Sequence, residues 1–362
     1  MNKVLFGGAF DPIHLGHIHM AEEASKKLDA DVVFIPAPIS VWKKESAPIK
    51  DKIEMIKLSI QDKPRLSIDL FEVESGKSTN YSIETAEYFV KKYPNDKFYY
   101  LIGADQVNSF HLWKEAKKLS EIVQIIFFER PNIELDAKNI TDFNMMKIDG
   151  VLKDVSSSEI RSLQNLKLAE PVMKYIEDNN LYYIKEIKSH IGDKRFNHSL
   201  SVANLAYEIA KANKLDDPWK YYVAGILHDI GKEDETSKEI MEREFDDYMD
   251  LPKFAYHQFV GAYLATAEFG IMDQSIINAI KFHATGNSEM DILAKVIYAA
   301  DKIEPTRDYD SSDLISAMMK NAEEGFITVL KANVDFLLEG KKDIKNRLTS
   351  KCIEYYLTNY LI

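Results

Sequence analysis

The chain has 362 residues, 46% of them hydrophobic and 29% charged, a balance that supports folded cores throughout and, at this length, two domains rather than one. A formal net charge of −12 excludes generic binding of nucleic acid or of an anionic membrane, because either requires a cationic surface field. Cys352 stands alone, which excludes an intrachain disulfide and a cysteine-rich zinc site, and Met1-Asn2-Lys3 runs into glycines too soon for a signal peptide or membrane span; a reducing, cytoplasmic setting is expected.

In chain order, apolar runs at Val4 to Phe6, Asp31 to Ile35, Phe98 to Ile102 and Val123 to Phe128 alternate with helical patterns at Leu15 to Leu28, Lys52 to Ile60 and Ser82 to Lys92. The alternation predicts an α/β domain, a doubly wound parallel sheet with ligands at the carboxyl ends of the strands where their order reverses. Pro171 to Asn180 reads as a closing helix stopped by Asn179-Asn180. From about Lys188 the pattern changes: Leu200, Val202, Leu205, Ala206, Ile209 and Ala210 recur at helical spacing, and similar stripes continue to Ile362, predicting an all-α bundle. No Gly/Ser/Pro-rich linker marks the join, which falls between Tyr182 and His190, so the domains are expected at 1–186 and 187–362. Glu233 to Asp250 is dense in charge and reads as a solvated helix and loop.

The first strand leads into Gly7-Gly8-Ala9-Phe10-Asp11-Pro12-Ile13-His14-Leu15-Gly16-His17. Glycines directly after a strand allow a tight turn and let backbone amides approach an anion, while the helix starting near Leu15 points its positive end at the same place. His14 and His17, three apart in the first helical turn, lie on one face and can donate to phosphate oxygens as charge develops. Late in the domain, Val155-Ser156-Ser157-Ser158-Glu159-Ile160-Arg161 offers serines that cap a helix and bind phosphate, with an arginine whose fork of donors suits a departing pyrophosphate.

The ordered opening motif and the serine segment together resemble the nucleotidylyltransferase superfamily, whose members transfer a nucleotidyl group from a nucleoside triphosphate. Further segments sharpen the likeness to the nicotinate-mononucleotide adenylyltransferases: Ile35-Pro36 leading to Lys43, Asn80-Tyr81-Ser82-Ile83-Glu84-Thr85, Ile102-Gly103-Ala104-Asp105 through Trp113, and Glu129-Arg130-Pro131. The resemblance implies magnesium-ATP and nicotinate mononucleotide as substrates. It implies His14, His17, Lys43 and Arg161 as the catalytic set, and Gly7, Gly8, Phe10, Asp11, Thr85, Gly103, Asp105, Trp113, Arg130, Ser156, Ser157 and Ser158 as substrate-binding residues. Trp113 would stack on the pyridine ring, and the region of Thr85 would hold the nicotinate carboxylate. One departure is plain: where that family commonly has Pro-Pro-His-Lys, this chain has Ser40-Val41-Trp42-Lys43, keeping the lysine and losing a histidine.

In the second half His198, His228, Asp229, His257, His283 and Asp301 sit in apolar helical surroundings such as Ala224-Gly225-Ile226-Leu227 and Ile297-Tyr298-Ala299-Ala300. Four imidazoles and two carboxylates exceed one closed tetrahedron and suit two metal ions with room for water and phosphate, with Asp229 a candidate bridge. The ordered set resembles the HD phosphohydrolase superfamily, and more closely its branch that cleaves diadenosine tetraphosphate symmetrically. That likeness implies two divalent ions, iron or manganese among the candidates, with Asp229 and Lys232 in catalytic roles. Lys232 and Arg307 face either a phosphate or solvent. The expected protein is bifunctional, with no nucleic-acid or membrane partner and with a second copy of the chain as an open option. Rival readings are another phosphorylated acceptor such as phosphopantetheine, an HD domain acting on another nucleotide, and an HD domain that senses nucleotide without turnover.

Overall fold

The computed structural model describes residues 1–38, 47–77, 79–129, 133–150, 155–340 and 346–358. Two compact units emerge, one formed by Met1–Arg161 with Asn165–Tyr182 and the other by Ser162–Gln164 with Tyr183–Ile362. The helix Tyr183–His190 therefore falls wholly within the second unit, whereas the boundary at 186/187 expected from sequence would cut it.

The first unit is built on six strands: β1 (Asn2–Gly8), β2 (Ala30–Pro36), β3 (Leu66–Ile68), β4 (Lys97–Ile102), β5 (Gln124–Phe127) and β6 (Met146–Lys147). Their order is β3-β2-β1-β4-β5-β6 and every pairing is parallel. Alternate residues of β1, β2 and β4, such as Leu5, Val33, Ile35, Tyr100 and Ile102, pack against Ile83, Ala86 and Phe89 of the helix Ser82–Lys92. Their neighbours of opposite parity, Val4, Phe6, Val32, Phe34 and Leu101, are buried as well, so both faces are covered as a parallel sheet requires. This is the doubly wound sheet expected. Chain order reverses between β1 and β4, and the crevice beyond their carboxyl ends is where such folds take ligands. Gly7-Gly8 and Gly103 stand at those two ends.

The second unit is helical. The ligand-bearing elements are Asp193–Ala212, Pro218–Leu227, Tyr256–Ala267, Gln274–Phe282 and Ile292–Ile303. Gly231 shows why glycine is needed here: a Cβ there would lie 2.5 Å from the backbone nitrogen of Gly261 and 2.7 Å from the carbonyl oxygen of His257. That close approach seats the segment after His228-Asp229 against the helix of His257. The charged stretch after Glu233 contains the helix Ser237–Glu244. Among the described residues no helix is long and apolar enough to cross a membrane.

Candidate functional sites

His14 is the N-cap of the helix Leu15–Leu28, and His17 is its third residue. Each imidazole Nδ1 accepts a backbone N–H from the other residue at 3.3 Å, and the rings stack at 3.6 Å. This reciprocal box satisfies two amides that a helix start otherwise leaves without partners. It also fixes tautomers: a neutral ring whose Nδ1 accepts carries its proton on Nε2. The pair thus presents Nε2–H donors, the polarity a phosphate requires.

Several expected contacts are supporting ones. The Phe10 side chain is buried among Phe6 and Phe34 and meets the His17 ring edge-on at 5.1 Å, so it backs the histidine. Asp11 is also buried; its Oδ1 accepts from the Tyr182 hydroxyl at 2.8 Å and from the Ala47 amide at 3.1 Å. Burial, reinforced by the Asp11 charge, holds the Tyr182 hydroxyl protonated far above its ordinary range. Gly7 faces the Tyr100 hydroxyl, which a Cβ would approach to 2.7 Å.

Arg161 donates Nη1 to the Asp11 carbonyl at 2.6 Å and Nη2 to the Ser158 hydroxyl at 3.1 Å, so the serine segment is joined to the opening motif. Ser157 donates to the Pro12 carbonyl at 3.0 Å, and Ser156 forms a capping box with Glu159. The Thr85 side chain is fully buried and its hydroxyl donates to Glu72 at 2.7 Å. Trp113 packs on Phe110 at 5.0 Å and edge-on to Tyr100 at 6.3 Å. Asp105 is exposed in the first turn of Ala104–Ser109, after Gly103. Lys43, with Trp42, and Arg130 lie outside the described residues.

In the second unit the six expected residues converge in overlapping triads, His198/His228/Asp229, His228/His283/Asp301 and Asp229/His257/His283, each with ligand atoms within 4.8 Å of one another. Nδ1 of His228, His257 and His283 lies 2.7, 2.7 and 2.8 Å from the carbonyl three residues earlier, to which it donates. Each Nε2 is then a lone pair facing inward. His257 and His283 bring these nitrogens to 3.1 Å of each other, and the buried His228 Nε2 has no hydrogen-bond partner. Converging lone pairs of this kind call for a cation, so nitrogen and carboxylate donors fit divalent metal.

The electrostatics divide the histidines: burial opposes a charge on His228, but the Asp229 and Asp301 carboxylates outweigh it and raise its pKa. Burial depresses His283 to about 3 and lowers His257, keeping both neutral. Burial opposes ionisation of Asp229 and Asp301, but the neighbouring charges of His228 and Lys302 respectively, with histidine hydrogen bonds, hold both well below the ordinary carboxylate range. Asp229 Oδ1 faces His257 at 3.2 Å and His283 at 3.5 Å, while Oδ2 is taken by Arg195 at 2.9 Å. Lys232 is partly exposed, and its Nζ is 3.2 Å from His257 Nε2 and 3.5 Å from Asp229 Oδ1. Arg307 reaches Asp301 Oδ1 at 2.8 Å.

Sequence reasoning missed Glu304, whose Oε1 takes the His198 Nδ1 proton at 3.0 Å, and Arg195 with its partner Glu233 at 3.0 Å. A signal existed for two of them. Glu304 lies three residues after Asp301 and Arg195 three before His198, the spacing that shares a helix face. Tyr182 and Glu72 carried no local signal.

A phosphate-binding turn at a doubly wound switch point and a histidine–aspartate metal centre define a nucleotidyltransferase joined to a metal-dependent hydrolase: residues 5–163 match the cytidylyltransferase-like family and residues 195–306 the HD domain. A probable nicotinate-nucleotide adenylyltransferase/Ap4A hydrolase of Mycoplasma genitalium is 31% identical over 91% of this chain and 96% of its own length. A protein of the same description from Mycoplasma pneumoniae is 28% identical over 84% of this chain and 89% of its own. A probable nicotinate-nucleotide adenylyltransferase of Opitutus terrae is 33% identical over 49% of this chain and 95% of its own, the share expected of a single-domain relative. The chain belongs to the family of bifunctional nicotinate-nucleotide adenylyltransferase/Ap4A hydrolases.

Proposed function

We propose that the first unit adenylates nicotinate mononucleotide with magnesium-ATP and that the second hydrolyses diadenosine tetraphosphate to two ADP. The observation that carries this is the pair of oppositely polarised histidine sets, Nε2–H donors at the start of Leu15–Leu28 and Nε2 lone pairs near Asp229. The first set suits a polyphosphate and the second the ions that cleave one.

In the first unit an acceptor phosphate oxygen attacks the α-phosphorus in line, and pyrophosphate leaves. His14, His17, Lys43 and Arg161 stabilise the oxygens, with Ser158 orienting Arg161 and with Gly7, Gly8, Gly103 and Arg130 beside the nucleotide. Asp105 offers its carboxylate to nucleotide hydroxyls. Catalysis is by position and charge. Trp113 presents an aromatic face to the pyridine ring. The amides of Ser82 and Ile83, which precede the first bond of the helix Ser82–Lys92 to the Tyr81 carbonyl, serve its carboxylate while Thr85 and Glu72 brace that helix from behind.

In the second unit His198, His228 and Asp301 would hold one divalent ion and Asp229, His257 and His283 another; the nitrogen-rich set favours iron or manganese over magnesium. Bound there, the ions supply an activated water and neutralise phosphate charge. Arg195 and Glu233 hold Asp229, and Glu304 holds His198. Lys232 turns from the ligands to phosphate and gives a proton to the leaving bridge oxygen. Water oxygen adds to one central phosphorus as the bond to that bridge breaks, releasing two ADP. A cytoplasmic place suits these nucleotide substrates.

Separation of the two activities tests the reading. His17→Ala should lower formation of nicotinate adenine dinucleotide about 10²- to 10³-fold while ADP release from diadenosine tetraphosphate continues. Asp229→Asn should do the converse. Folded variants in which both activities fall together, or neither does, overturn the assignment.

A further inference from the structure

A tetraphosphate with an adenosine at each end must be gripped at both ends if it is always cut in the middle. Two exposed aromatic residues are hydrogen-bonded to the ligand-bearing segments. Phe254 is 58% exposed and lies in the short helix Lys253–Ala255, three residues before His257, whose Nδ1 donates to the Phe254 carbonyl at 2.7 Å. Tyr309 is 51% exposed and follows the helix of Asp301; its hydroxyl donates to the carbonyl of Lys302, next to that ligand. Phe254 is thus tied to the Asp229/His257/His283 group and Tyr309 to the His228/His283/Asp301 group.

Tyr222, Phe259, Tyr298 and Phe326 of this unit are buried, whereas Phe254, Tyr309, Phe336 and Tyr355 are exposed, and of these Phe254 and Tyr309 are the pair bonded beside metal-site residues. Exposed aromatic area is unfavourable in water unless something covers it, and every nucleobase offers a flat face that does. The phosphate path is equally defined, because Lys232, Arg195, Lys302 and Arg307 contact the two aspartates from around the cluster. A ring beside each ligand group, with cations between, matches base, polyphosphate, base.

We propose that Phe254 and Tyr309 are the two adenine platforms of the hydrolase site, and that their placement on either side of the metal centre registers the tetraphosphate so that water attacks at its midpoint. This rests on the reading of the second unit as a dinucleoside tetraphosphate hydrolase. Each platform supplies stacking to a base and neither touches the reacting phosphorus.

The test uses the full chain loaded with manganese, comparing wild type with Phe254→Ala, Tyr309→Ala and Tyr309→Phe. Each alanine variant should raise KM for diadenosine tetraphosphate roughly 5- to 150-fold, the range for losing one stacked base, with kcat changed far less. Metal content and competitive inhibition by inorganic tetraphosphate, which has no base, should stay at wild-type values. Tyr309→Phe keeps the ring and should bind as wild type. Loss of one anchor also lets the chain slip, so alanine variants should release some ATP and AMP alongside ADP. Unchanged KM and product pattern in both alanine variants would overturn the platforms while leaving the hydrolase reading intact. Failure of the wild type to cleave the substrate would instead remove that reading. Parallel loss of metal or of inorganic tetraphosphate binding would show a structural role and also sink the proposal.

Discussion

Glu304 carries the sharpest prediction, because it acts on one ion position only. Its carboxylate is buried and accepts from His198 Nδ1 at 3.0 Å and from the Thr306 amide at 2.7 Å. In Glu304→Ala the exposed Thr306 amide finds water, so the main loss is the acceptor that orients His198. Outer-shell partners of ligating histidines are worth about 10- to 100-fold in metal affinity, or about 1.4 to 2.7 kcal/mol. The half-buried imidazole N–H left behind costs about 1 to 2 kcal/mol of folding stability. Equilibration against a chelator of known affinity, with metal counted by mass spectrometry and folding followed by circular dichroism, should show one ion weakened by that factor. The ion held by Asp229, His257 and His283 should stay in place. Glu304→Gln keeps an acceptor oxygen and should fall between. Wild-type affinity at both positions in a folded Glu304→Ala protein, or equal loss at both, would refute the reasoning.

Two other outcomes follow from named contacts. Glu72 is buried against Thr85, and burial raises its carboxyl above the ordinary value. The folded state therefore binds its proton more tightly than the unfolded chain, so ionised Glu72 costs stability above the raised value and that cost disappears as pH falls through it. Glu72→Gln should melt higher than wild type near pH 8, with the gap closing toward the ordinary carboxylate range; a constant gap from pH 5 to 8 in thermal melts would contradict this. Gly231→Ala places a methyl 2.5 Å from the Gly261 nitrogen, where only backbone can yield, and should cost about 1 to 3 kcal/mol and reduce metal occupancy. Denaturant unfolding at wild-type midpoint would count against it.

What was legible in the sequence was whatever chemistry or periodicity concentrates locally. Strands β1, β2, β4 and β5 showed as apolar runs, and the helices Leu15–Leu28 and Ser82–Lys92 begin and end where their patterns do. β3 and β6 did not show, since three and two residues are too few for an alternation and exist through parallel pairing to β2 and β5. The same divide runs through the sites. The six metal-site residues sit in recognisable motifs, but Tyr182 meets Asp11 across 171 positions and Glu304 meets His198 across 106, and no local pattern encodes such distances. The interior direction of the Phe10 and Thr85 side chains was equally invisible, since both lie within the segments that carry the motifs.

One physical rule accounts for how a single residue type serves both chemistries. A helix start has spare N–H groups and a helix end has spare carbonyls. His14 and His17 open the helix Leu15–Leu28, so backbone amides claim Nδ1 and leave Nε2 protonated. His228 and His283 close the helices Pro218–Leu227 and Gln274–Phe282, so carbonyls claim the Nδ1 proton and leave Nε2 a lone pair. His257 departs from the rule: it stands in the first turn of Tyr256–Ala267, yet its Nδ1 meets the Phe254 carbonyl of the preceding short helix Lys253–Ala255. For His14, His17, His228 and His283, position relative to helix ends thus decides which ring nitrogen the backbone claims. Burial then only locks the neutral form in which that choice has meaning, as the depression of His283 to about 3 illustrates. The making and the breaking of phosphoanhydrides are assigned to different units by the same backbone accounting that caps their helices.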